Sequence, residues 1–174
     1  MNGEDEKNAP AALDAGVMET GTEATDTENG TPEKPPPPTT RDYLRLQIPS
    51  HPRFVALTRD LLYRFCQQFG FSRQGAFDMK LVCGEALANI IQHAYRGEDN
   101  HPIFVEIYMY SDYLELRLRD MGIQQSVPPG SAQDLTDYRE RGLGLFLISK
   151  LSDFHYFDQS FKIGTMLVIK KKIV

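Results

Sequence analysis

With 174 residues, 41% of them hydrophobic and 25% charged, the chain holds one ordinary soluble domain and some surplus. The formal net charge of -5 is lopsided. Residues 1–40 carry nine acids (Glu4, Asp5, Glu6, Asp14, Glu19, Glu23, Asp26, Glu28, Glu33) against Lys7 and Lys34, a net of -7, and the other 17 basic and 15 acidic residues leave +2 for the body. A near-neutral body without a dense Lys/Arg stripe gives no electrostatic footprint for direct nucleic-acid binding or for an anionic membrane. An acidic N-terminus is not a signal peptide, and no apolar run approaches the roughly 18 residues of a membrane span. Cys66 and Cys83, the only cysteines, lie in apolar, helix-like runs without a CxxC pattern, which predicts buried free thiols and a cytoplasmic protein.

Residues 1–40 contain no aromatic residue and six of the 11 prolines, ending in Pro35-Pro36-Pro37-Pro38. So little apolar surface cannot offset ordering entropy, so a disordered acidic tail on a polyproline linker is expected, either a solvated leader or an interaction tail. The folded domain is expected over residues 41–174. Tyr43–Ile48 alternates with period two and reads as a strand stopped by Pro49. Pro52 opens a helix whose apolar set is Phe54, Leu57, Leu61, Leu62, Phe65 and Phe69, ending at Gly70. Ser72 caps a second, longer helix carrying Phe77, Leu81, Val82, Leu87, Ile90, Ile91 and Ala94 up to Gly97. Strands are expected at 103–110 and 113–120, joined by Ser111-Asp112 in a hairpin. A polar, turn-rich stretch from Gly122 to Arg141 has the length of a functional lid or a disordered segment. A helix over 142–151 and strands over 153–158 and 165–171 complete three helices and about five strands. This is an α+β two-layer sandwich with a mixed, mostly antiparallel sheet.

Four features in this frame carry possible chemistry. Glu85, Asn89 and His93 recur every four positions on one helical face beside the apolar stripe, as the wall of a pocket or as a solvated edge. In 113–120 the odd positions are expected at the surface and Leu114, Leu116 and Leu118 in the core. Asp120 shares the core parity. Its carboxylate is either a turn cap with Gly122 or an acceptor at the floor of a pocket, for which an adenine amino group is a natural donor. Gly142 and Gly144, spaced by two at a helix start, let backbone approach a ligand and aim amides at an anion, or merely loosen the first helical turn. Leu147 replaces the third glycine of a dinucleotide fingerprint and there is no GK[ST] of a P-loop. Gly164-Thr165 is a turn at the start of the last strand, with a functional role if the other three belong together.

In this order, Glu85-x-x-x-Asn89, Asp120-x-Gly122, a lid, Gly142-x-Gly144 and Gly164-Thr165 resemble the four boxes of the Bergerat-fold (GHKL) ATPases. The stretches from Gly84 to Tyr95 and from Arg141 to Ile148 are similar to those of the stand-alone bacterial serine kinases that act as anti-sigma factors in partner switching. The resemblance covers residues 41–174. It implies ATP and Mg2+ as cofactors, with Asn89 as magnesium ligand and Glu85 as general base toward a serine hydroxyl. It also implies Asp120 as acceptor of the adenine amino group with Gly122 giving the base room, Gly142 and Gly144 closing on the phosphates, Thr165 near the adenine, and Arg141 steadying the γ-phosphate. A sigma factor and an antagonist protein are the implied partners, and a homodimer the implied state. Many relatives have a glycine two residues after the DxG pair, where this chain has Gln124. The function expected is an ATP-dependent protein serine kinase; the alternative is a nucleotide-gated binding module without phosphotransfer.

Overall fold

The computed structural model describes residues 42–124 and 143–173, so the expectations for the acidic tail, for the lid and for Arg141 and Gly142 lie outside the described residues. The chain runs β1 (Asp42–Pro49), α1 (Pro52–Gln68), α2 (Arg73–Asn89), a π turn (Ile90–Ala94), β2 (Pro102–Met109), β3 (Tyr113–Arg119), α3 (Leu143–Leu151), β4 (Phe154–Asp158) and β5 (Met166–Lys172). The strands form one sheet in the order β1-β2-β3-β5-β4, and each of these pairings is antiparallel. The predicted hairpin is present: Tyr110 N–H donates to the Tyr113 carbonyl across Ser111-Asp112, and Met109 faces Leu114 in register.

The helix starts arise from their capping residues. His51 Nδ1 accepts the Arg53 amide ahead of α1, whose first residue is Pro52, and Ser72 Oγ accepts the Gly75 amide ahead of α2. The α1 helix stops where Gly70 takes φ +89°. The end of α2 differs from expectation. It leaves α geometry at Asn89 and closes in a π turn, with Tyr95 N–H donating to the Ile90 carbonyl, before Arg96 and Gly97 turn left-handed at φ 54° and 80°.

One face of the sheet, with Val105, Ile107, Leu114, Leu116, Leu118, Leu167 and Ile169, packs on Leu62, Met79, Val82, Ala86 and Leu87 of the helices. Cys66 and Cys83 are buried free thiols, as expected, and burial pushes both up to about 12, so they are inert at neutral pH. Not every apolar helical position joins this core: Leu57, Leu61 and Phe77 are exposed. The opposite sheet face is not simply solvated either. Glu115 is only 4% exposed, held between the Arg117 guanidinium at 2.6 Å and Lys170 Nζ at 2.9 Å. Opposite charges at the neighbouring positions are what let a carboxylate leave water on that face. Lys171 Nζ donates to the carbonyl of Leu151 at 2.8 Å and lies 3.4 Å from Asp78 Oδ2, tying the C-terminal end of α3 to α2 and β5.

Candidate functional site

The site is built where α2, the start of α3 and the end of β3 converge. Glu85 and Asn89, one turn apart on α2, are both partly buried. Gly144, in the first turn of α3, lies against both. A Cβ added there would fall 2.9 Å from Glu85 Oε2 and 3.4–3.5 Å from the Asn89 amide atoms. The absence of a side chain at Gly144 is therefore what lets a helix N-terminus approach a carboxylate and an amide, and a helix start favours negative charge nearby. His93 does not continue the face. It lies in the π turn, where i→i+5 pairing breaks the four-residue repeat, and it is exposed.

The π turn leads from Asn89 to the second part of the site. The Ala94 carbonyl accepts the Ile123 amide at 3.2 Å, and a Cβ on Gly122 would fall 2.4 Å from the Ala94 oxygen. Gly122 is thus required by close packing of the loop after β3 on the end of α2. Tyr95, 5% exposed, anchors the same loop: its hydroxyl accepts the Met121 amide at 2.7 Å and donates to the Pro102 carbonyl. Between these fastenings stands Asp120, 4% exposed, on the core side of β3 as its parity predicts. Its Oδ1 accepts the Gly122 amide at 2.8 Å. Burial holds its carboxyl above the ordinary carboxylate value, while the amides of Gly122 and Thr165 pull it back down. A carboxylate offers about four acceptor positions, so acceptor capacity remains for an incoming N–H donor.

The fourth box closes on the same residue. The Thr165 carbonyl accepts the Asp120 amide at 3.0 Å. Gly164, at φ +77°, packs so tightly that an added Cβ would lie 1.9 Å from the Asp120 carbonyl oxygen. Thr165 itself is partly buried and immediately precedes β5 rather than opening it. The structure thus joins Glu85, Asn89 and Gly144 at one end of the π turn, and Asp120, Gly122 and Thr165 at the other.

Two supporting residues escape sequence reasoning. Tyr95 has a weak signal, as an aromatic residue just past the end of a polar-faced helix. Gln124 makes contacts with the β4–β5 loop that no sequence pattern encodes. No group of three or more His, Cys, Asp or Glu side chains able to hold a metal ion occurs among the described residues. No described helix is long and apolar enough to cross a membrane.

Comparison with known proteins gives this arrangement a family. The histidine kinase-like ATPase domain matches residues 48–171, which contain every element from α1 to β4 and most of β5. A serine-protein kinase RsbW from Listeria monocytogenes serotype 4a is 35% identical over 146 residues, covering 78% of this chain and 93% of the relative. The serine-protein kinase RsbW of Oceanobacillus iheyensis is 29% identical over 140 residues, 76% of this chain and 87% of the relative. That of Bacillus velezensis is 31% identical over 123 residues, 66% and 77% of the two chains. The family match reaches all five strands, and Glu85, Asn89, Asp120, Gly122, Gly144 and Thr165 all fall inside it, so the chain belongs to the histidine kinase-like ATPase domain family.

Proposed function

We propose that this chain is an ATP-dependent protein serine kinase that acts as an anti-sigma factor, phosphorylating an antagonist protein and binding a sigma factor. The observation that carries the reading is the packing of Gly144 against Glu85 and Asn89, at one end of a π turn whose other end packs on the loop that follows Asp120. An acid, an amide oxygen and a side-chain-free helix start meet at one end, and a buried acceptor waits at the other. Similarity over most of the length of proteins named serine-protein kinase supports the same activity.

The residues present suit a magnesium nucleotide. Asn89 supplies one hard oxygen beside Glu85. That is the pattern expected where Mg2+ shares a protein oxygen with substrate phosphates. When bound, Mg2+ neutralises charge on the transferring phosphoryl group. Asp120 accepts the adenine amino group, and Gly122 keeps the space beside it clear. Gly144, with Gly142, gives the phosphates backbone contact, and Arg141 steadies the γ-phosphate. Glu85 takes the proton from the substrate serine hydroxyl as its oxygen bonds to phosphorus and ADP leaves. Residues 41–174 carry this activity, with residues 1–40 a dispensable acidic tail. The working form is a cytoplasmic homodimer that needs neither nucleic acid nor membrane.

Two substitutions test the nucleotide site. Asp120→Asn should weaken ADP binding by about 1–3 kcal/mol, because an amide can present a donor to the adenine amino group where the carboxylate only accepts. Calorimetry with ADP measures this directly; an unchanged affinity removes Asp120 from the adenine. Asn89→Ala should abolish the magnesium-dependent part of ATP affinity and leave the melting temperature near that of the parent. Titration of ATP with and without magnesium reads it, and a solvated helix residue would instead give no change or a slight gain from helix propensity. The activity as a whole is tested by following radiolabelled phosphate from ATP into candidate antagonist proteins. Label confined to inorganic phosphate would reject the kinase.

A further inference from the structure

The β4–β5 loop, residues 159–164, is fastened to the end of β3 from two directions. Gln124 Nε2 donates to the carbonyls of Phe161 and Gly164 at 2.8 Å each, and the Gln159 carbonyl approaches it at 3.4 Å. The two short bonds use both hydrogens of the amide group. Arg119, of opposite parity to Asp120, lays its guanidinium over the Phe161 ring 4.0 Å from the centroid. Its Nε is buried without a hydrogen-bond partner. The C-terminal end of the loop makes the contact on which Asp120 depends: Gly164 lies against its carbonyl and Thr165 pairs with its amide.

The geometry points to Gln124 as a positioning residue for the nucleotide site. By holding the Phe161 and Gly164 carbonyls it keeps Gly164 and Thr165 seated on Asp120 and so aims the Asp120 carboxylate. This rests on the reading of Asp120 as the adenine acceptor. The chemistry is specific to a donor: a glycine at position 124 could make no such contact, and a carboxylate there would repel both carbonyls. Gln124 thus acts through the loop, with no contact to the nucleotide required of it.

The test uses the full chain with Gln124→Glu, which has nearly the same shape and no donors, and Gln124→Lys, which restores N–H donors on a stem of similar reach. Amide hydrogen exchange without nucleotide should be faster at Gly164 and Thr165 in the Glu variant. Its Kd for ADP should rise roughly 5- to 30-fold, the scale of one or two partly exposed hydrogen bonds. The Lys variant should recover most of both effects, which a general loss of loop stability would not predict. Equal exchange or equal ADP affinity in parent and Glu variant overturns the role of Gln124 alone, as does a Lys variant no better than Glu. A parent chain without affinity for ADP overturns the nucleotide site itself, and this proposal with it.

Discussion

Gly164→Ala should destabilise the fold by about 2–6 kcal/mol in urea unfolding, more than any other single methyl group added at the site. Two costs combine. An alanine at φ +77° carries backbone strain of about 1–3 kcal/mol. Its Cβ, built 1.9 Å from the Asp120 carbonyl oxygen, must also push β3 and the β4–β5 loop apart, at about 1–3 kcal/mol for overpacking. The two effects separate by comparison with Gly70→Ala. Gly70 has φ +89°, yet nothing lies within 4 Å of its added Cβ, so that variant should bear only the backbone strain. Equal losses in the two variants would mean that the contact between Gly164 and Asp120 is not made in solution. Because Asp120 receives its backbone pairing from Thr165, the Gly164→Ala protein should also lose nucleotide affinity, whereas Gly70→Ala should keep it.

The readable parts of this site are those set by local periodicity. Strand alternation alone places Asp120 on the core side, and it is buried there; i,i+4 spacing alone puts Glu85 and Asn89 on one face, and both line the same contact with Gly144. Extending either rule one step further fails for physical reasons. His93 obeys the same spacing, but the π turn begins one residue after Asn89 and ends the register. Glu115 obeys the outward parity, but Arg117 and Lys170 flank it and make burial tolerable. Leu57 and Leu61 fit the apolar pattern of α1 and remain exposed, because periodicity says which residues share a face and not how wide a strip of that face the neighbouring helix and sheet cover. Gln124 is legible only as a departure from the glycine of many relatives. Its partners are backbone carbonyls 35 to 40 residues away, and carbonyls leave no trace in a residue pattern. The glycines divide in the same way: Gly122, Gly144 and Gly164 are each explained by a close approach that only coordinates reveal.

Glu85→Gln should separate binding from phosphoryl transfer. Glutamine keeps the size of the side chain and its hydrogen bonding, so the contact with Gly144 survives, but it cannot take up a proton. If Glu85 is the base, ATP and partner affinities should stay near those of the parent while single-turnover transfer to serine slows by about 100- to 10,000-fold, the usual scale of general-base catalysis. Two other outcomes have distinct causes. Should Glu85 chiefly organise the water around a magnesium ion at the site proposed for Asn89, one turn away on the same face, ATP affinity and transfer would fall together. Should positioning and metal charge supply nearly all of the catalysis, as they do in much phosphoryl transfer, the rate would fall only slightly. A Glu85→Gln enzyme that retains the parent's rate would remove Glu85 from the reaction and leave it as an acid packed against the first turn of α3.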